Sequence, residues 1–257
     1  MGNTQNNATI TYHDKEKIHT KDYYFIKNGK IEGQYREYFY SGNLHKLSTY
    51  VNGVKHGKYI EYYHNQNENI ICNYKNDCIH GPYKEYYEGG NIKLLCEYID
   101  GKRNGLCNSY YDIEENDVED DTEDDVEDNE NKSKYLLCNY IHKIFNFVDG
   151  KIDGEYKEYH RNGNLKIIVN YKDNKKEGEY KEYYDNSQLK ITCNYANGKI
   201  EGEYKEYYDN SQLKIICNYA NGKIDGEYKL YIPNTKKIKV YYYKNNMIQN
   251  YSFLPIE

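Results

Sequence analysis

The sequence predicts an all-β protein, an elongated single-layer antiparallel sheet of consecutive β-hairpin repeats with a 24-residue period. Three observations lead to this fold class. The 257 residues include 36 Tyr but no Trp and only 3 Pro, a composition that favours strands over helices. Glycines recur at intervals of 24 residues. Asn-Gly or Asp-Gly dipeptides recur in the same register, and such dipeptides are typical of two-residue hairpin turns of type I′.

The repeats form two arrays separated by an irregular middle. The repeated glycines are Gly33, Gly57, Gly81 and Gly105 in the first array, and Gly154, Gly178, Gly202 and Gly226 in the second. The longer interval between Gly105 and Gly154 fits either an insertion or a ninth, degenerate repeat. The repeat count is therefore eight or nine. Positions within a repeat are numbered here from its glycine, which is offset 0.

Each repeat is predicted to supply two antiparallel strands. In the repeat of Gly202, the segment KIEGEYKEYY runs away from one turn, DNSQ forms a second turn, and LKIICNYA returns. Tyr recurs at offsets 2, 5 and 17, so the tyrosines form columns across the sheet. Side chains alternate between the two sides of a strand, which predicts one apolar, aromatic face and one largely charged face. The glycine is expected to leave room for a neighbouring Tyr ring to lie across the strand.

Composition divides the chain into five segments. They are a polar N-terminal tail (1–22), the first repeats (23–111), an acidic, disordered insertion (112–134), further repeats (135–243) and a C-terminal cap or tail (244–257). Residues 112–131 carry thirteen acidic side chains and no basic one; without them, 28 acids face 35 Lys and Arg, so the net charge of -6 becomes +7. The remaining scaffold is therefore predicted to be mildly basic. We hypothesise that the tethered insertion competes with anionic partners for it.

The pattern G-x-Y-K-E-Y-Y, a turn, L-K, a short strand ending in N-Y, and then N-G-K-x-x-G resembles the MORN repeat. The resemblance is specifically to variant MORN repeats of the bacterial antitoxin-component type, and it extends over residues 24–243. It implies an elongated antiparallel sheet of consecutive hairpins without catalytic residues of its own. It also implies roles in protein assembly, in membrane apposition or lipid contact, or in neutralisation of a partner.

The seven Cys and eight His give no pattern typical of an enzyme or a metal site. Cys72, Cys96, Cys193 and Cys217 share offset 15, and equal offsets in neighbouring hairpins lie about 9.6 Å apart, beyond the Cα limit of about 7 Å for a disulfide. They are expected to be reduced, half-buried apolar side chains. No catalytic residue, metal or cofactor is expected, and neither nucleic acid nor a small-molecule substrate is an expected partner.

The predicted function is a non-catalytic scaffold for protein–protein interaction through a tyrosine-rich sheet face. Offsets 2 and 17 are assigned to cohesion of the sheet, and offset 5 to partner contact: Tyr38, Tyr62, Tyr86, Tyr159, Tyr183 and Tyr207. One alternative is peripheral attachment to anionic membrane lipid, and a further one is antitoxin-like inhibition of a partner protein. Exposed end strands could in addition pair between copies as a homo-oligomer. Since no signal peptide or transmembrane segment is apparent, an intracellular, cytoplasmic location is expected.

Overall fold

The computed structural model describes residues 7–112, 141–233, 235 and 237–255, and within these ranges it contains strands and turns but no helix. The chain divides into two compact units. The first unit is Met1–Glu127 with Val148–Gly150, and the second unit is Asp128–Phe147 with Lys151–Glu257. The strands are β1 (Asn7–Tyr12), β2 (Thr20–Lys27), β3 (Lys30–Ile31), β4 (Gly33–Tyr38), β5 (Leu44–Val51), β6 (Val54–Tyr62), β7 (Glu68–Lys75), β8 (Cys78–Ile79), β9 (Gly81–Tyr86), β10 (Ile92–Ile99), β11 (Lys102–Arg103), β12 (Gly105–Tyr110), β13 (Ile141–Val148), β14 (Lys151–Ile152), β15 (Gly154–Tyr159), β16 (Leu165–Lys172), β17 (Lys175–Tyr183), β18 (Leu189–Ala196), β19 (Lys199–Tyr207), β20 (Leu213–Ala220), β21 (Lys223–Tyr231), β22 (Lys237–Lys244) and β23 (Met247–Pro255).

The strands pair antiparallel with their neighbours in the chain. In the first unit the order is β1, β2, β4, β5, β6, β7, β9, β10 and β12. The short strands β3, β8 and β11 pair with β2, β7 and β10 just before the chain continues into β4, β9 and β12. In the second unit β13 pairs with β15, and β15 to β23 then pair in sequence order. The predicted fold class, an all-β antiparallel sheet of consecutive hairpins with a 24-residue period, is confirmed in each unit.

Hairpin turns with two left-handed residues join the strands at one edge. At Asn197 and Gly198 the φ angles are 50° and 80°, as a type I′ turn requires. The sequence analysis predicts such turns at Asn52-Gly53, Asp100-Gly101, Asp149-Gly150, Asn197-Gly198 and Asn221-Gly222, and all five have this geometry. The described residues contain four more, at Asn28-Gly29, Asn76-Asp77, Asp173-Asn174 and Asn245-Asn246. Three of these four lack glycine, because Asn and Asp tolerate the left-handed region better than other side chains.

Six of the described turns at the opposite edge contain three loop residues. In the hairpin of β17 and β18, the amide of Tyr184 donates to the carbonyl of Gln188 at 2.9 Å, and the amide of Ser187 donates to the carbonyl of Tyr184 at 3.0 Å. Ser187 has a φ of 67°. This is a type I turn followed by one left-handed residue, a common three-residue hairpin loop. This three-residue loop recurs every 24 residues within each unit, opposite the edge that carries the two-residue turns.

The repeated glycine forms a β-bulge. Gly178 pairs regularly with Tyr195 on β18, whereas on the β16 side the register passes from Tyr180 to Glu177 and skips Gly178 and Glu179. The φ of Gly178 is 77°, a conformation that L side chains avoid. A Cβ added there would have no heavy atom within 4 Å beyond its chain neighbours. The expectation that a Tyr ring covers the glycine is therefore wrong, because the position requires a left-handed backbone and not space.

The sheet has two chemically different faces. The pairing of Tyr180 with Cys193 and of Tyr183 with Leu189 places these pairs on opposite sides of the sheet. We call the side of offsets 2, 4, 13, 15 and 17 the packed face and the side of offsets 1, 3, 5, 11, 14 and 16 the open face. In β17 and β18 the packed face carries Tyr180, Glu182, Ile191, Cys193 and Tyr195, and the open face carries Glu179, Lys181, Tyr183, Leu189, Thr192 and Asn194.

The main buried cluster of the second unit lies on the packed face. Val169, Tyr180 and Cys193 form a buried cluster, and aromatic and aliphatic side chains of the adjacent strands pack against it. Ring centroids of offsets 2 and 17 lie 5.3 to 5.7 Å apart in seven repeats: Tyr35–Tyr50, Tyr59–Tyr74, Tyr83–Tyr98, Tyr156–Tyr171, Tyr180–Tyr195, Tyr204–Tyr219 and Tyr228–Tyr243. Tilted and edge-to-face pairs of this kind contribute about 0.5 to 1.5 kcal/mol each beyond their buried area. The tyrosines of offsets 2 and 17 therefore hold neighbouring strands together.

The cysteines differ in one respect from the expectation. Cys72, Cys193 and Cys217 are unpaired, as predicted, but they are fully and not half-buried. Cys96, however, forms a disulfide with Cys107, at a Cα–Cα distance of 4.4 Å. Cys107 stands at offset 2, in the place of a Tyr, and this offset lies directly opposite offset 15 on the adjacent strand. The prediction compared only equal offsets and so missed this pair.

The two terminal segments contribute strands. Residues 7–12, in the segment predicted as a polar tail, form β1 and pair with β2, since the sequence NATITY is rich in residues that favour strands. Residues 247–255, in the segment predicted as a cap or tail, form β23. The predicted acidic insertion after Asp112, and Cys138, lie outside the described residues.

Candidate partner-binding face

The six tyrosines predicted to contact a partner lie on the open face, three in each unit. Each one ends the first strand of its repeat and is paired with the first residue of the next strand, so that Tyr183 lies opposite Leu189 and Tyr207 opposite Leu213. The row consists of Tyr38, Tyr62, Tyr86, Tyr159, Tyr183 and Tyr207, paired with Leu44, Glu68, Ile92, Leu165, Leu189 and Leu213. We call the six tyrosines the tyrosine row. All six are half-buried.

The phenol groups of the tyrosine row are largely unused within the chain. Among the described residues, the hydroxyls of Tyr38, Tyr62, Tyr86, Tyr183 and Tyr207 make no intramolecular hydrogen bond. Burial raises the pKa of Tyr62 and of Tyr86, and the carboxylate of Glu68 adds to both effects. These side chains thus combine a partly desolvated ring with a free donor, a combination found at protein interfaces.

Several offset-2 tyrosines of the packed face use their hydroxyls internally. Tyr180 donates to Glu182 Oε2 at 2.9 Å, and Lys190 Nζ lies 2.7 Å from the other carboxylate oxygen. Tyr156 and Tyr59 donate to the Glu two residues later at 2.7 and 2.6 Å. Burial, and then the hydrogen bond to Glu182, raises the pKa of Tyr180 far above its ordinary value. These three offset-2 hydroxyls are therefore satisfied by residues of the same strand.

A further aromatic column, at offset 6, was missed in the sequence analysis. The hydroxyl of Tyr184 donates to the carbonyl of Tyr207 at 2.8 Å, and the hydroxyl of Tyr208 donates to the carbonyl of Tyr231 at 3.0 Å. In the first unit Tyr63 and Tyr87 make the same bond to the next repeat. The signal was the Tyr-Tyr dipeptide of the repeat, but the acceptor lies 23 residues away. This column connects consecutive repeats at the loop edge.

Charges on the open face of the second unit are paired within single strands. Lys157 lies 2.6 Å from Glu155, and Lys181 lies 2.9 Å from Glu179. The same pairs recur in the next two repeats, as Lys205 with Glu203 and Lys229 with Glu227. Because each Lys has a carboxylate two residues away on the same side, the positive potential of this face is small.

In the first unit, apolar residues occupy two open-face positions at which the second unit has charged residues. Offset 1 is Pro82 on β9 and Leu106 on β12, where the second unit has Glu, and Leu106 is 58% exposed. With Leu95 these residues line a shallow cavity of about 250 Å³. The side-chain oxygen of Asn108, at the cavity wall, is buried without a hydrogen-bond partner. This part of the open face is a candidate pocket for an apolar side chain of a partner.

No group of three or more His, Cys, Asp or Glu side chains within the described ranges is placed to hold a metal ion. Nor does this part of the chain contain a helix with the length and apolar character needed to cross a membrane.

Comparison with known proteins agrees with the repeat. The family model described as "MORN repeat variant" matches five segments, residues 31–52, 79–100, 152–173, 176–197 and 200–221. These matches support similarity to the MORN repeat family, whose repeats are non-catalytic and generally contact proteins or membrane lipids. No curated protein matches the chain. A solved structure titled "Crystal Structure of TcdB2-TccC3-Cdc42" is similar at 9% identity over 95% of this chain, with a TM-score of 0.22, and this chain spans 16% of the length of that one.

Proposed function

We propose that the chain is a non-catalytic repeat scaffold that binds a protein partner through the tyrosine row of its open face. The observation that carries the proposal is the contrast in hydroxyl use. The hydroxyls of Tyr180 and Tyr156 at offset 2 of the packed face donate to Glu carboxylates, whereas the hydroxyls of Tyr183 and Tyr207 on the open face have no hydrogen-bond partner within the described residues. A stiff aromatic ring with a free hydroxyl gives a large contact area at a small cost in conformational entropy.

Charge distribution favours a protein partner over anionic lipid. Binding to a lipid surface requires clustered, unpaired Lys or Arg. On the open face of the second unit, Lys157, Lys181, Lys205 and Lys229 each have a Glu within an ion-pair distance. Attachment to anionic lipid is therefore the weaker alternative. Inhibition of a partner protein, as an antitoxin does, is a special case of the proposed function that depends on the partner's own activity.

The partner can be identified by photo-crosslinking from the tyrosine row. A benzophenone amino acid is introduced at Tyr183 in one chain and at Asn194 in another, and both are expressed in the native cell. Asn194 is exposed on the same face but in the row nearest the opposite edge. We expect a discrete protein adduct from position 183 and a weaker one, or none, from position 194. Equal labelling of many proteins from both positions would contradict a specific site.

Binding of the identified partner is then measured with two triple variants. Replacing Tyr159, Tyr183 and Tyr207 with Ser should raise the dissociation constant at least about 100-fold, since central interface tyrosines contribute about 2 kcal/mol or more each. The matched control replaces three exposed Asn with Ser, on the same face but on the paired strands β16, β18 and β20: Asn170, Asn194 and Asn218. Its affinity should remain within about threefold of the original chain.

Flotation with neutral and anionic vesicles at two salt concentrations tests the lipid alternative. Salt-sensitive flotation on anionic vesicles, together with unchanged partner affinity in the Tyr variant, would replace the proposed function by the lipid one. Absence of flotation, with loss of partner binding in the Tyr variant, is the expected result.

A further inference from the structure

The last strand, β23, has an unoccupied edge and an unusual exposed surface. It runs antiparallel to β22 from Met247 to Pro255, and among the described residues no strand pairs with its other edge. Alternate backbone amide and carbonyl groups of such a strand point away from the sheet without a partner, and they form a template for another strand. Three apolar side chains, Ile248, Tyr251 and Phe253, are 55%, 65% and 59% exposed.

These side chains extend the packed face beyond its last covered strand. Tyr251 lies opposite Tyr241 on β22, with ring centroids 6.4 Å apart, and Lys239 Nζ lies 5.6 Å from the centre of the Phe253 ring. In the interior of the second unit, strands on both sides cover the equivalent tyrosine, and Tyr180 is only 6% exposed. Among the described residues, no strand covers this face at β23 in the way that neighbouring strands cover it in the interior repeats.

From these observations we propose that β23 pairs with β23 of a second copy of this chain. A second copy is the partner that fits, because β23 carries no charged side chain. Residues 245–255 contain no Asp, Glu, Lys or Arg in a chain that is 30% charged. An antiparallel pair of identical strands places like residues near one another, so any charge near its centre would face the same charge. Natural edge strands carry Lys or Glu to prevent such pairing, and β23 carries none.

The geometry of the pair follows from symmetry. A two-fold axis perpendicular to the sheet at Tyr251, the central residue of β23, maximises the number of paired residues and keeps the packed faces of both copies on one side. Tyr251 then meets its own copy, at the Cα–Cα distance of about 4.5 to 5.5 Å that separates opposite residues. The other terminal strand, β1, is a poorer template, because it has six residues and Ile10 is its one large, exposed apolar side chain within the described part.

The first test measures the molar mass of the full chain by sedimentation over a range of concentrations, with two lysine variants. Tyr251→Lys places two ammonium groups opposite each other at the two-fold axis and should raise the dissociation constant of the dimer at least about tenfold. Tyr242→Lys is the matched control, since Tyr242 is also exposed but lies on β22. Its dimer should persist. Both variants are checked for unchanged strand content by circular dichroism.

The second test determines the register with single cysteines, in a chain that also carries Cys78→Ser and Cys138→Ser. Mild oxidation should link Tyr251→Cys to its copy, because opposite residues lie within the Cα range of a disulfide. Tyr242→Cys should not link, since the two β22 strands would be separated by about 14 Å, three strand spacings. A monomer at all concentrations would overturn the proposal. So would a dimer unaffected by Tyr251→Lys, or a series of larger oligomers from head-to-tail pairing.

Discussion

Removing one tyrosine hydroxyl from each face of the sheet distinguishes a tyrosine that stabilises the sheet from one that is free to contact a partner. Tyr180 and Tyr183 lie three residues apart on β17, and a change to Phe removes the same single atom from each. On the packed face, Tyr180→Phe deletes the 2.9 Å bond to Glu182, whose side chain is 17% exposed. A hydrogen bond to a charged, largely buried acceptor contributes about 1.5 to 3 kcal/mol. Because Lys190 still contacts the other oxygen of Glu182, we expect a loss of stability at the lower end of this range, about 1.5 kcal/mol.

On the open face, Tyr183→Phe breaks no hydrogen bond to any residue that the structure describes. The free energy of unfolding should therefore stay within about 0.5 kcal/mol of the original chain. Tyr204→Phe serves as an internal calibration, because the bond from Tyr204 to Glu206 is longer, at 3.4 Å, and its loss should cost less than that of Tyr180.

Equilibrium unfolding in urea, followed by circular dichroism and by tyrosine fluorescence, measures the three differences. The midpoints are compared at equal slope, so that a change in midpoint reports a change in stability. The expected order of destabilisation is Tyr180→Phe, then Tyr204→Phe, then Tyr183→Phe. If Tyr183→Phe destabilises the chain as much as Tyr180→Phe does, the open-face tyrosine is structural and the reasoning behind the proposed contact row fails.

Three further predictions concern the backbone, the thiols and pH. Gly178→Ala should lower the unfolding free energy by about 1 to 2 kcal/mol, because its φ is 77°, and Gly178→Asn by clearly less; equal losses in urea unfolding would contradict the backbone explanation. At pH 8, iodoacetamide should modify exposed Cys78 much faster than Cys193, whose pKa burial raises to about 11; peptide mass mapping that finds equal rates would refute this. Burial raises the pKa of Tyr228 to about 12 and also raises that of Tyr180, so the folded chain holds these protons more tightly than the unfolded chain. The stability that these two groups contribute should be fully present below about pH 10 and should fall as the pH rises towards 12. An unchanged urea midpoint over this range would count against the prediction.

The sequence was sufficient for features that depend on local backbone chemistry and on alternation. The dipeptide Asn197-Gly198 predicts its turn because the type I′ geometry needs two left-handed residues, and few other residue types supply them. The position of the turn then determines which residues of the following strand lie on the same side of the sheet. For that reason the separation of Tyr180 from Tyr183 was predictable without coordinates.

Features that depend on the offset between neighbouring strands were not predictable in the same way. The disulfide of Cys96 joins offset 15 to offset 2, and its partner, Cys107, stands where other repeats have Tyr, so the repeat pattern itself hides the pair. The bond of Tyr184 to the carbonyl of Tyr207 likewise crosses from one repeat to the next. The role of Gly178 was misjudged because a glycine that gives space and a glycine that gives a positive φ are identical in sequence.

The abundance of tyrosine follows from having a sheet without a covering layer. In such a sheet no side chain lies far from water, so a core built from Phe would leave the ring edges hydrated and would offer Glu182 no donor. Tyr180 solves both problems on the packed face, since its ring packs against Tyr195 while its hydroxyl reaches a carboxylate at the rim. Three residues later in the same strand, Tyr183 presents an identical side chain without that carboxylate. Strand alternation therefore decides which of these two surroundings a tyrosine meets, and a one-residue slip in register would exchange them.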